Sequence, residues 1–141
     1  MSKVNDTIKH LDTLDLDAIG NDENGRRLII SAAYRMLARL ETPFEQTWKF
    51  TTTINTASAL QTLISLGLWQ GWKEDGGNVA TLEELSKLCT SPCDLGLLRR
   101  LLRVMSASHF VEEVGEDKFQ PTPTSLALGD TAGPIAHTAL V

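Results

Sequence analysis

The chain has 141 residues, 42% of them hydrophobic and 22% charged, and a formal net charge of −5. That length supports a single core of ordinary size and excludes a nucleotide-binding α/β domain beside a second domain. The acidic balance works against broad phosphate binding, where Lys and Arg must displace counterions, although a local basic patch survives in many acidic chains.

Val4, Ile8, Leu11 and Leu14 or Leu16 recur at near-helical spacing with acidic residues between them, so Val4 to Ile19 reads either as a short amphipathic helix or as a frayed arm. Residues 1–25 are taken as this arm, and "GNDENG", Gly20 to Gly25, breaks it. From Arg26 to Glu41 a helix is predicted, with Leu28, Ile29, Ala32, Ala33, Met36, Leu37 and Leu40 on one broad stripe. It stops at Thr42-Pro43, and Thr42 and Pro43 open the next helix as cap and first residue. That helix runs from Phe44 to Leu68, with a bend at Thr51 to Thr53 and an end tightened by Gly67. "GWKEDGGN", Gly71 to Asn78, reads as a solvated loop.

Thr81 and Glu84 have the spacing of a capping box before an apolar run, so Thr81 to Cys89 is predicted to be helical. Asp94 caps a further helix, Leu95 to Ser108. "HFVEEV" and "KFQPTP" read as two short strands joined by a Gly-Glu-Asp turn. Helix, helix, turn, helix and hairpin in this order make a winged helix-turn-helix. Thr124 to Leu128 forms a helical turn. "IAHTALV" starts a helical pattern that shows no stop signal, so residues 131–141 are expected to begin a linker helix.

The segments "TPFEQTWKF", "ASALQTLISLGLWQ", "TLEELSKLC", "LLRRLLRVMSASHFVEE" and "KFQPTPTSLALGD" together resemble the N-terminal dimerisation domain of plant-type and fungal small-molecule O-methyltransferases. The resemblance runs from about Pro43 to Asp130, five segments in the family's order. It implies a mainly α fold: a helical dimerisation unit leading into a winged helix with a small β-hairpin wing, over residues 26–130. It also implies that two subunits interlock here and that the domain walls part of a substrate pocket. Some families of this architecture catalyse pericyclic reactions instead. Methyl transfer from S-adenosylmethionine (SAM) belongs in such enzymes to a C-terminal Rossmann-like domain, which this sequence is expected to lack. The family usually has Gly where His109 stands, at the turn from helix into wing.

The residues themselves give no chemistry. Gly76 and Gly77 lack G-x-G-x-x-G spacing and follow no strand. His10, His109 and His137 have no carboxylate-oriented partner in the sequence. Cys89 and Cys93 lack a second Cys or His pair, so no zinc site can be assembled, and they read as ordinary thiols. No catalytic, cofactor-binding or metal residue is therefore assigned, and SAM is expected only in the parent family. The apolar surplus on the helices of Arg26 to Glu41 and Ile54 to Leu68 predicts a homodimer, with Leu28, Ile29, Tyr34 and Leu37 at or near its interface.

Three alternatives stand beside this reading. The chain is a free-standing module that pairs with a full-length methyltransferase. Or it is a winged-helix DNA-binding protein using Arg99, Arg100 and Arg103, against which stand Glu112, Glu113, Glu116 and Asp117 on the wing. Or Trp48, Phe50, Trp69 and Trp72 line an apolar pocket. A small-molecule substrate is expected only together with a catalytic domain. The polar start and the lack of an apolar run of about 20 residues make a cytoplasmic protein off the membrane the expectation.

Overall fold

The computed structural model describes residues 2–130. Short polar side chains start most of its helices. Asp15 accepts a hydrogen bond from the Ala18 amide and opens α2, Leu16–Gly20; Asp22 does the same from Gly25 for α3, Glu23–Leu40. Thr42 accepts from the Glu45 amide at the head of α4, Pro43–Ser65, and the Glu45 carboxylate accepts from the Thr42 amide in return. Each such cap satisfies a backbone donor that the first helical turn leaves orphaned.

Contact density divides the chain into two compact units, Met1–Lys49 and Phe50–Val141. The first unit contains α1, Ser2–Asp12, then α2, α3 and the start of α4. The arm, read as either a short helix or a frayed segment, holds two helices, because Asp15 serves as the cap of a new helix and Thr13 and Leu14 turn between them. The predicted break at Gly20 to Gly25 is shorter than expected, since Asp22 caps α3 early enough to make Asn24 and Gly25 helical. Gln46 Nε2 donates to the Ala38 carbonyl at 2.9 Å and Lys49 Nζ pairs with Glu41 at 2.6 Å, which ties the start of α4 to the end of α3. None of the described residues up to Lys49 is buried.

The second unit holds the core. α4 stays helical through Thr51–Thr53 to Ser65, so the three threonines do not interrupt it. Gly67 then adopts φ 71°, the left-handed turn that glycine takes without strain, and the chain restarts at once as α5, Leu68–Glu74. This corrects the loop predicted from Gly71: Leu68, Trp69 and Trp72 recur at helical spacing and are all buried, and apolar burial outweighs the local turn signal. The Trp72 indole N–H donates to the Asn78 carbonyl at 2.8 Å, which closes the true loop.

β1, Ala80–Thr81, was not foreseen; two residues are too short to show a period of two. It leads into α6, Leu82–Leu88, through the predicted Thr81–Glu84 capping box. Asp94 caps α7, Leu95–Ala107. His109 then takes φ 61°, the left-handed conformation for which glycine would be the cheaper residue. β2, Val111–Gly115, and β3, Lys118–Pro121, follow, and the antiparallel sheet has the order β1-β3-β2. The Thr122 hydroxyl donates to the Phe110 carbonyl and caps α8, Pro123–Leu128. The fold is mainly α with a small β-hairpin, as predicted, and β1 extends that hairpin to a three-stranded sheet. Residues 131–141, where the linker helix was expected, lie outside the described residues.

Leu63, Trp69, Trp72, Leu85, Leu98 and Phe119 are fully buried and form the centre of the core. Gly71 lies against α6 so closely that a Cβ there would stand 2.5 Å from the Leu88 carbonyl oxygen, whereas one at Gly20 would meet nothing within 4 Å. Ala ordinarily gains about 0.5–1 kcal/mol over Gly in a helix. At Gly71 the clash dominates: Gly71→Ala is expected to lose on the order of 1–3 kcal/mol in urea unfolding. Gly20→Ala is expected to leave the midpoint unchanged or raise it.

Candidate functional site

α7 presents three arginines, and their partners decide what that face can do. Arg99 holds Asp117 in a two-pronged contact, Nε to Oδ1 and Nη2 to Oδ2, both at 2.7 Å. Arg103 reaches Glu113 at 3.0 Å and lies 3.9 Å from Asp117. Asp117 sits in the hairpin turn at φ 52°, and Arg99 beside it holds its carboxyl below the ordinary value of 3.8. Arg99 and Arg103 thus clasp the hairpin to the helix. Leu98, Leu102 and Met105 of the same helix are buried in the core, so only Arg100 remains free to meet a phosphate.

The larger feature is apolar. α3 exposes Leu28, Ile29, Ile30, Tyr34, Leu37 and Leu40, which together cover more than half of the helix circumference. A helix apolar over so much of its surface is ordinarily covered by protein. All four residues predicted at an interface, Leu28, Ile29, Tyr34 and Leu37, are therefore solvent-facing here; Tyr34 is 70% exposed. The first half of α4 extends the pattern with Phe44 and Trp48, whose rings stack at 6.1 Å, and with Phe50 and Ile54. The sequence reading passed over Ile30 and Phe44. The i, i+4 spacing of Phe44 and Trp48 was the available signal.

The four aromatics considered as a pocket do not share an environment. Trp69 and Trp72 stack in the core, while Trp48 and Phe50 are 61% and 82% exposed. Cys89 and Cys93 are free, half-buried thiols, and burial pushes both thiol pKa values up. Among the described residues no group of His, Cys, Asp and Glu could hold a metal ion. His10 and His109 are exposed and make no ion pair among the described residues, and His137 lies outside them.

No protein-family model matches the chain. Individual proteins do. It is 35% identical over 130 residues to O-methyltransferase ATR12 of Stachybotrys chlorohalonatus, covering 92% of this chain and 33% of that protein. It is 35% identical over 126 residues to O-methyltransferase mfmE of Annulohypoxylon moriforme, covering 85% and 29%. The chain is related by sequence to fungal O-methyltransferases. It spans about a third of the length of these relatives. Among solved structures, one described as a pericyclic reaction enzyme matches with a TM-score of 0.73 at 22% identity, over 92% of this chain and 32% of its own. LepI in complex with SAM matches with a TM-score of 0.76 at 23% identity, over 89% and 32%. Identities this low speak to the fold alone.

SAM itself does not fit the described residues. Its binding in this kind of enzyme needs a glycine-rich turn between a parallel strand and a helix N-terminus. The sheet here is antiparallel throughout, and Gly76 and Gly77 bridge α5 to β1. Gly77 has a positive φ, and a Cβ there would stand 2.8 Å from a methyl of Leu126, so this glycine packs against α8. No helix among the described residues is long and apolar enough to cross a membrane.

The clasp has a testable pH dependence. Because the folded-state carboxyl of Asp117 is depressed, its contribution to stability is present above the ordinary value of 3.8 and is lost as pH falls through the lower folded value. NMR titration of the Asp117 carboxyl carbon is expected to show its inflection below 3.8. Arg99→Gln should return that inflection upward, and an unmoved inflection would dissociate the shift from Arg99.

Proposed function

We propose that this chain is the self-associating, substrate-covering part of a fungal secondary-metabolite O-methyltransferase and does not transfer a methyl group by itself. Two copies bring the exposed apolar surfaces of α3 and of the first half of α4 together. The resulting unit supplies part of the wall of a substrate pocket. Methyl transfer from SAM to a hydroxyl of an aromatic or polyketide-like metabolite is assigned to a separate SAM-binding domain of the whole enzyme. The same complementarity permits pairing with the equivalent part of a full-length relative. Free thiols at Cys89 and Cys93 accord with a cytoplasmic enzyme.

The uncovered apolar surface carries this reading. An array of exposed Leu, Ile, Tyr, Phe and Trp on adjacent helices is a liability for a lone chain and an asset for an obligate partner surface. The kinship with O-methyltransferases over about a third of their length supports a part-of-enzyme role. DNA binding is disfavoured, because Arg99 and Arg103 already neutralise Asp117 and Glu113 and the exposed wing residues Glu112 and Glu116 would repel a backbone.

Sedimentation velocity at micromolar concentration is expected to show a dimer. Leu37→Asp places a charge in the apolar contact at a cost of several kcal/mol. The dimer should therefore dissociate at least roughly 100-fold more readily. Because Leu37 is 40% exposed in the single chain, helical circular dichroism should survive the change. A folded wild-type monomer at high concentration would overturn the proposed association.

A further inference from the structure

One open groove lies between α4 and α7. Asn55, Ser58 and Thr62 form one wall and Leu97 and Arg100 the other, over a floor that includes Leu101 and Val104; it encloses about 290 Å³. The lining residues recur at intervals of three and four on both helices, so the groove follows two helical ridges for about two turns. That is the shape into which a third helix packs. The α4 wall is small: Ser58 and Thr62 donate their hydroxyls back to the carbonyls of Ile54 and Ser58, which leaves a low surface that permits close helix approach.

Two observations bear on what would cover it. Phe44 precedes Asn55 and Thr62, and Trp48 precedes Asn55 and Ala59, by close to whole numbers of helical turns of about 3.6 residues. The exposed aromatics and the groove wall therefore form one continuous face of α4. A copy of the chain that covers the aromatics is led along that face into the groove. The second observation is charge. Arg99 and Arg103 are engaged by the hairpin, whereas Arg100 makes no ion pair among the described residues and stands on the groove wall.

α1 has the complementary features. Val4, Ile8 and Leu11 form a stripe at helical spacing, all exposed, and no residue of the helix is buried. Asp12 flanks that stripe as the last residue of the helix. A carboxylate at a helix C-terminus is disfavoured by the helix dipole, and Asp12 makes no ion pair among the described residues.

We propose that α1 of a second copy lies in the groove between α4 and α7, with Val4, Ile8 and Leu11 on its apolar floor and the Asp12 carboxylate against Arg100. By symmetry each copy then receives the α1 of the other. This rests on the self-association proposed above and adds a defined seat for the arm. The contact removes two exposed apolar stripes from water, and it pairs a guanidinium on the groove wall with a carboxylate at the helix end.

The test uses the full chain with p-benzoylphenylalanine in place of Ile8. Isotopically light and heavy chains are refolded together, irradiated and digested. The expected result is crosslinked peptides that join a light to a heavy chain and attach within residues 55–62 or 97–104. Crosslinks within one isotope only, or attachment elsewhere, would overturn the seat. Sedimentation of the same sample separates the two ideas: a dimer with misplaced crosslinks removes the seat and keeps the association, and a monomer removes both. Arg100→Glu should cut the light–heavy yield by about fivefold, the effect of a lost surface ion pair, and Asp12→Arg in the same chain should restore it. An Arg100→Glu yield equal to that of the parent would overturn the charge contact.

Discussion

The burial of Trp69 and Trp72 is the constraint around which the second unit is arranged. Both rings lie in the core, stacked with centroids 6.5 Å apart. To bring them there the chain must leave α4 and restart as a helix within two residues, which Gly67 permits through its left-handed turn. α6 can approach α5 because Gly71 offers no side chain beneath the Leu88 carbonyl. The end of α8 can approach because Gly129 offers none beneath the Trp69 carbonyl, where a Cβ would collide with the oxygen. Two large rings worth several kcal/mol of burial are thus accommodated by glycines at the contact points.

The first unit has the opposite economy. Its helices are well capped and locally tied by Glu23 with Arg26 and Arg27 and by Glu41 with Lys49, yet none of its described residues is buried. Arg26 and then Arg27 draw the Glu23 carboxyl down to about 2, but exposed ion pairs of this kind add little stability. Local caps and surface pairs shape such helices without supplying the apolar burial that fixes tertiary structure. The proposed partner contact supplies that burial from another chain. It also gives α1 a role that its own sequence cannot fulfil alone.

The arginines of α7 show how position changes meaning. As a string, Arg99, Arg100 and Arg103 resemble the basic face of a DNA reader. In the fold, two of them hold the hairpin to the helix and only Arg100 is left. The kinship with fungal O-methyltransferases covers about a third of their length. Packing residues encode how elements meet, and the chemistry of such enzymes depends on groups that these residues do not include.

Of the helix starts, the sequence by itself determined those of α4, α6 and α7, since Thr42, Thr81 and Asp94 cap through hydrogen bonds to amides three residues away. The hairpin was legible as two short runs about a Gly-Glu-Asp turn, and the unusual turn at His109 only through the family resemblance, which has Gly there. The sequence also marked α3 as over-apolar, because a surplus of apolar residues on one helix is visible in spacing alone. Only the tertiary structure decided that Gly71 to Glu74 is helical, that Ala80 and Thr81 complete a sheet, and which aromatics are core and which are exposed. Those outcomes depend on partners far away in the chain: Trp72 follows the core, and Ala80 pairs with Phe119. A short local segment carries no record of such partners, so the burial that overrides its turn signals exists only once the chain has folded.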